Sequence, residues 1–109
     1  MILIVGGAFQ GKEALARKMC PDTSQIYLNM QDVILEWMKE GKDPYLEADV
    51  FMNTHPDSVI TLEEMGSGII PMDAFEREYR EVCGRIGCRW AMRATAVYRV
   101  IMGVAMRIK

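Results

Sequence analysis

The chain has 109 residues, half of them apolar, and its 13 basic and 15 acidic side chains leave a formal net charge of −2. This length favours a single domain, residues 1–109, with a core of its own. The near balance of charge argues against nucleic acid or a membrane surface as a partner. Met1 leads directly into an apolar run without a signal peptide, and no run is long enough to span a membrane, so we expect a cytoplasmic protein.

Sulfur-containing side chains are interpreted as core residues. Cys20, Cys83 and Cys88 form no CxxC pair, and Cys83 and Cys88 do not share a helix face, so we expect reduced thiols in the core of a cytosolic protein. Ten methionines could mark an adaptable binding surface, but core packing is favoured because several lie in apolar segments. These are Met30, Met38, Met52 and Met102.

The first fifteen residues, MILIVGGAFQGKEAL, predict a buried strand, a glycine loop and a helix. Residues 1–5 are all apolar, and residues 12–20 are mostly helix formers. Between them, the spacing from Gly6 to Gly11 and Lys12 fits the first seven positions of the phosphate-loop motif GxxxxGK[ST]. In that motif backbone N–H groups surround a phosphate, the lysine reaches the outer phosphates, and glycines supply positive φ angles. The alternative is a glycine turn that only joins strand to helix.

The predicted nucleotide-binding residues are Gly6, Gly7, Ala8, Phe9, Gln10, Gly11, Lys12 and Glu13. Glu13 departs from the motif, because Ser or Thr at this position would hold Mg²⁺ with its hydroxyl group. One interpretation is an acid in the first turn of a helix, which the helix dipole stabilises by roughly 0.3 to 1 kcal/mol. The other is repulsion of the ligand, roughly 3 kcal/mol per unit of phosphate charge at about 6 Å and an effective dielectric near 20, unless a metal bridges the two.

The remaining chain alternates predicted strands and helices. We expect strands at residues 24–28, 58–62, 96–102 and 104–108, and helices at 31–40, 43–52 and 73–91. This order predicts an α/β fold, a P-loop NTPase-like three-layer sandwich with a mainly parallel sheet and helices on both faces. Asn29 and Asp73 are the expected helix caps.

The long helix 73–91 is expected to bury one apolar face. That face carries Phe75, Tyr79, Val82, Cys83, Ile86 and Trp90. Arg77, Arg80, Arg85 and Arg89 lie off it and are interpreted as a solvated flank, although one of them could reach a phosphate.

A second transition from strand to glycines follows residues 58–62. Ligands of open α/β sheets bind beyond the carboxyl ends of the strands, so we expect Glu64 near the bound phosphates. There it would hold metal-bound water or accept a proton from a substrate hydroxyl. The alternative is a loop carboxylate satisfied by backbone amides. His55, the only histidine, is expected at the surface of a turn.

Four segments resemble one family. ILIVGGAFQGK is similar to ILVTGGARSGKS, and ITLEEMGSGIIP is similar to NEVGxGIVP, with Glu64, Gly66, Gly68 and Pro71 at corresponding places. YREVCGRIGCRWA is similar to FRDxxGRxNQxLA, and VYRVIMGVAMRIK to VYLVVSGIxxxxK. On these segments the chain resembles the bifunctional adenosylcobinamide kinase/adenosylcobinamide-phosphate guanylyltransferase family of cobalamin biosynthesis.

The resemblance implies a kinase that phosphorylates the aminopropanol hydroxyl of adenosylcobinamide with ATP or GTP and Mg²⁺, and a homo-oligomer. Lys12 and the loop amides would hold the β- and γ-phosphates, and Glu64 would orient the acceptor or the metal. Glu13 and Asp32 are the candidate metal ligands. Family members also transfer GMP through a histidine, but His55 does not match that histidine. We therefore expect a shortened member without guanylyltransferase activity; the alternative is a non-catalytic relative that binds nucleotide or corrinoid.

Overall fold

The computed structural model describes residues 1–65 and 73–109. The strands are β1 Ile2–Gly6, β2 Ile26–Tyr27, β3 Val59–Glu63, β4 Ala96–Ile101 and β5 Val104–Arg107, and the helices are α1 Lys12–Met19, α2 Met30–Lys39, α3 Pro44–Thr54 and α4 Ala74–Arg93. Each predicted strand and helix is present at its expected place, and β2 is shorter because Thr23–Gln25 forms a 3₁₀ turn. The predicted matches at Gly66, Gly68 and Pro71 lie outside the described residues.

The described strands form one sheet with the order β2-β3-β1-β4-β5. Strand β1 lies at its centre and runs parallel to both β3 and β4, whereas β5 pairs antiparallel with β4. Gly6, the last residue of β1, is opposite Glu63 on one side and Val100 on the other. The carboxyl ends of β1 and β3 therefore meet at one edge of the sheet, as predicted for an α/β fold.

Helices cover both faces of the sheet, which confirms the three-layer arrangement. Side chains alternate along β1, so Leu3 packs with residues of α2, α3 and α4 while Ile4 packs with α1. The larger cluster includes Ile34 and Trp90, which are fully buried. Within the described part of the chain, no helix is both long and apolar enough to cross a bilayer.

Several expected core residues lie elsewhere. Met102 is 85% exposed because it occupies the turn between β4 and β5, and Phe75 is exposed in the first turn of α4. Cys83 is buried as expected, but Cys88 is exposed, and all three cysteines are free thiols. His55 is not a simple surface residue, because it is half-buried and its ring stacks on Phe51 with 4.3 Å between centroids.

The two expected helix caps differ. Asp73 caps α4 as predicted, accepting a 2.7 Å hydrogen bond from the Phe75 N–H. Asn29 precedes α2 in a left-handed conformation, with φ of 58°, and its side chain makes no capping hydrogen bond. Instead its N–H donates to Thr61 Oγ1 at 2.7 Å, which fastens the start of α2 to β3.

Candidate functional site

Residues 7–11 form a closed turn between the end of β1 and the start of α1. Gly11 has φ of 102°, which confirms the expected need for glycine there. Gly6 is required for a different reason, because a Cβ at this position would lie 2.6 Å from the Val100 carbonyl oxygen. Phe9 also has a positive φ in this turn, at 59°.

Lys12 lies over this turn. Its side chain is only 8% exposed, and Nζ donates to the Gly7 carbonyl at 2.6 Å. An ammonium group has three N–H donors, so this bond leaves others for an anion. Because α1 begins at Lys12, the N-terminal amides of this helix, which lack acceptors within it, lie at the end of the same turn. The turn thus places a positive charge and backbone donors together, which is the chemistry of a phosphate site.

The turn is braced by the connection between β4 and β5. The Gln10 side-chain oxygen accepts from the Met102 N–H at 2.6 Å, and its carbonyl accepts from the Gly103 N–H at 2.8 Å. Gln10 occupies a variable position of the motif, so its anchoring role is not evident in the sequence. These two bonds fix the turn in its closed form from outside.

Glu13 points along α1. Its carboxylate accepts from the Arg17 guanidinium at 2.9 Å, one helical turn away, and both side chains are more than half exposed. This geometry fits the interpretation of an acid in the first turn of a helix. The carboxylate does not fill the turn.

The predicted turn, α2 and β3 enclose a cleft of about 620 Å³. Its walls are formed by Ala8, Phe9, Gln10, Gly11, Lys12, Glu13, Ala14, Leu28, Asn29, Gln31, Asp32, Thr61 and Glu63. The structure therefore brings Asp32, a candidate metal ligand, to the same cleft as Lys12 and Glu13. Gly6 and Gly7 are not part of the walls.

Glu63 was not predicted as a site residue, yet it lies in the cleft wall at the end of β3, opposite Gly6. Its N–H donates to the buried side-chain oxygen of Gln31 at 3.1 Å, and the Gln31 carbonyl accepts from the Tyr79 hydroxyl at 2.8 Å. The sequence carries a signal for this position, because the mostly apolar run VITL is followed directly by an acidic residue at the end of a predicted strand. The bond from Glu63 joins β3 to α2, the two walls that carry Glu63 and Asp32, and the bond from Tyr79 joins α4 to α2.

The acidic side chains of the cleft suit a metal that phosphates help to bind. Across residues 1–65 and 73–109, no three or more His, Cys, Asp or Glu side chains are grouped to hold a metal by themselves. Mg²⁺ is usually held by one or two carboxylates together with substrate phosphates and water. Asp32 and Glu63 offer such a donor set, so the residues present fit the cofactor.

Glu64 takes part in a different contact. Its N–H donates to the Gly6 carbonyl at 2.8 Å, which places its backbone next to the turn. Its carboxylate binds the Arg99 guanidinium at both oxygens, at 2.8 and 3.0 Å, and this pairing raises the pKa of Arg99. Both residues line a second, largely apolar cavity of about 450 Å³ under α4, which shares Glu63 with the cleft. The role of Glu64 towards acceptor or metal stays a prediction.

A central parallel strand, a closed glycine turn, a buried lysine and a following helix define an α/β protein with a P-loop NTPase-like fold. A sequence model described as cobinamide kinase / cobinamide phosphate guanyltransferase matches residues 38–108. The chain belongs to this family. The match begins after the glycine turn, so the assignment of the turn rests on its own geometry.

Two curated relatives share part of the sequence. The bifunctional adenosylcobalamin biosynthesis protein CobU of Salmonella typhimurium (strain LT2) is 35% identical over 51 residues. The protein of the same name from Escherichia coli (strain K12) is 33% identical over 51 residues. Each match covers 47% of this chain and 28% of the relative.

Proposed function

We propose that this chain binds a nucleoside triphosphate with Mg²⁺ in the cleft beside β1 and transfers its terminal phosphoryl group to adenosylcobinamide. The observation that carries the proposal is Lys12, buried over a closed turn with Nζ 2.6 Å from the Gly7 carbonyl. Holding a buried ammonium group against a carbonyl costs desolvation free energy, and an anion in the turn would repay it. Membership of the cobinamide kinase family supports the choice of acceptor.

The residues of the cleft divide into three roles. Lys12 and the turn amides would hold the β- and γ-phosphates, which is the positioning and electrostatic stabilisation that phosphoryl transfer needs. Asp32 and Glu63 would hold Mg²⁺, which when bound neutralises charge developing on the phosphates. Glu64 would orient the acceptor only after exchanging its contact with Arg99.

We further propose that guanylyltransferase activity is absent. His55 is the only histidine of the chain. It precedes the amino end of β3, whereas the turn lies at the carboxyl end, so the two are at opposite edges of the sheet. The His55 ring also stacks on Phe51, and its Nδ1 lies 3.0 Å from the Phe51 carbonyl oxygen. Incubation with labelled GTP should therefore leave no covalent guanylyl group on the protein.

Single-turnover transfer tests the kinase proposal. Labelled ATP or GTP is mixed with excess protein, Mg²⁺ and adenosylcobinamide, and the phosphorylated product is quantified. Wild type should form product, Lys12→Ala should form none, and Lys18→Ala, which changes an exposed lysine of the same helix, should match wild type. Absence of transfer by wild-type protein at high concentration would refute the kinase proposal.

A non-catalytic binding protein is the second candidate, and the charge of the cleft favours it. Glu13, Asp32 and Glu63 place three carboxylates in walls that hold one lysine, Lys12. Such a site can bind a metal–nucleotide complex while stabilising the transition state poorly. Nucleotide binding without turnover, measured on the same protein preparation, would identify this case.

Cellular location and assembly are also proposals. We place the chain in the cytoplasm, which its three free thiols support. We also propose a homo-oligomer, and sedimentation velocity over a range of protein concentrations would reveal a monomer if this is wrong.

A further inference from the structure

Phe9 is an unusual residue of the cleft wall. It is fully exposed, with a relative accessibility of 104%, and its backbone has φ of 59°. Left-handed backbone is unfavourable for any residue with a Cβ, and it is rare for bulky ones. In the free protein, burial of the ring does not offset this unfavourable backbone conformation, because the ring is fully exposed. Glycine at this position would avoid the unfavourable conformation.

The surrounding contacts keep Phe9 in place. Its neighbour Gln10 is bonded twice to the turn between β4 and β5, through Met102 and Gly103. The aromatic ring is therefore presented from a braced turn. Of the described residues in the cleft wall, Phe9 alone is aromatic, and it shares the wall with Lys12, Glu13, Asp32 and Glu63.

We propose that Phe9 is a ligand-binding contact whose ring stacks on a planar, conjugated group of the ligand. The proposal rests on the proposed function, because it assumes that the ligand's phosphates occupy the turn. Two sources offer this chemistry: the base of the nucleotide, or the conjugated groups of the acceptor, namely its macrocycle and its adenine. Stacking on a base is tolerant of base identity, so Phe9 would add affinity without separating ATP from GTP.

Three probes distinguish the sources. Mg-tripolyphosphate has no planar group, Mg-GTP adds the base of the nucleotide, and adenosylcobinamide supplies the planar groups of the acceptor. Dissociation constants are measured for wild type, Phe9→Ala and Phe9→Leu, with Leu46→Ala as the matched control. Leu46 is also an exposed apolar side chain, 59% accessible, but it lies on α3 and outside the cleft. Thermal unfolding of each variant confirms that the fold is kept.

We expect Phe9→Ala to bind Mg-tripolyphosphate as wild type does and to bind one planar ligand about tenfold more weakly. The ligand that binds more weakly identifies the source of the planar group. The affinity of Phe9→Leu for that ligand should lie between those of wild type and Phe9→Ala, because leucine is apolar but not planar. Unchanged binding of both planar ligands, or an equal loss for tripolyphosphate, would overturn the proposal while leaving the proposed function intact. Failure of wild type to bind both Mg-tripolyphosphate and Mg-GTP would overturn both proposals.

Discussion

At the scale of single residues, we expect Glu13 to limit how tightly the cleft binds a nucleotide. Glu13→Ser should tighten binding of Mg-nucleotide by about three- to tenfold, as measured by calorimetric titration. The upper limit is set by repulsion of roughly 3 kcal/mol per phosphate charge, which solvent screening reduces because the side chain is more than half exposed. Loss of the Arg17 pair should change stability by less than about 0.5 kcal/mol.

Glu13→Gln shows whether Glu13→Ser acts by removing a negative charge or by adding a hydroxyl group. Glutamine removes the charge without adding a hydroxyl group. Equal tightening by serine and glutamine would identify repulsion as the cause, whereas tightening by serine alone would identify a hydroxyl ligand for Mg²⁺. Unchanged affinity in both variants would show that Glu13 does not limit the site.

Gly6 and Gly84 provide a matched pair of glycine substitutions. Gly6→Ala should destabilise the fold by about 1 to 3 kcal/mol, because its Cβ would lie 2.6 Å from the Val100 carbonyl oxygen. Gly84→Ala should stabilise it by about 0.4 to 1 kcal/mol, because Gly84 lies within α4 and its Cβ would meet nothing within 4 Å. Urea unfolding measures both changes, and equal effects would contradict this account of Gly6.

At the scale of secondary structure, local pattern accounts for most of the fold. Apolar runs and helical spacing predicted each strand and helix because both signals lie within short segments. The contacts that shape the site are not local. Glu64 pairs with Arg99 across 35 residues, Gln31 with Tyr79 across 48, and Gln10 with Met102 across 92.

The residues that lie elsewhere than expected do so for the same reason. Met102 belongs to an apolar stretch and Phe75 to the apolar face expected for the long helix, but a hairpin turn and a first helical turn place them in solvent. Glu63 and Glu64 are adjacent in sequence, and strand alternation alone does not say which one reaches the cleft. The structure places Glu63 in the cleft wall, whereas the carboxylate of Glu64 is bound to Arg99.

The packing of α4 predicts a loss of stability at alkaline pH. Burial raises the pKa of the Cys83 thiol to about 11, from an ordinary value of 9.0. The folded state therefore holds this proton more tightly than the unfolded state. The resulting stability is complete below about pH 9 and is lost as the pH rises towards about 11, by up to roughly 1.4 kcal/mol per pH unit. Burial also raises the pKa of Tyr79, so this residue adds to the loss of stability as the pH rises.

Urea unfolding at several values between about pH 8 and pH 11 measures this slope. Cys83→Ala should flatten it even if the smaller side chain lowers stability at every pH. Cys88→Ala changes an exposed thiol of the same helix and should leave the slope unchanged. An identical slope in wild type and Cys83→Ala would rule out the buried thiol as the cause.

At the scale of the whole molecule, we expect the cleft to require a divalent cation before it binds a polyphosphate. The chain carries a net charge of −2, and the cleft wall sets Glu13, Asp32 and Glu63 against Lys12. A free triphosphate would enter a field of its own sign, whereas Mg²⁺ offsets charge on both partners. We therefore expect Mg-ATP or Mg-GTP to stabilise the protein, and each nucleotide without metal to have almost no effect.

Thermal unfolding measures this dependence. A ligand at about 100 times its dissociation constant stabilises a fold by roughly 2.7 kcal/mol, which corresponds to about 10 °C for a chain of this size. Asp32→Asn and Glu63→Gln should each reduce the shift with Mg-nucleotide, because each removes a metal ligand. If those variants instead gained a shift with metal-free nucleotide, the carboxylates would act by repulsion alone. Equal stabilisation of wild type with and without Mg²⁺ would show that Lys12 and the turn amides suffice, and that Asp32 and Glu63 hold no metal.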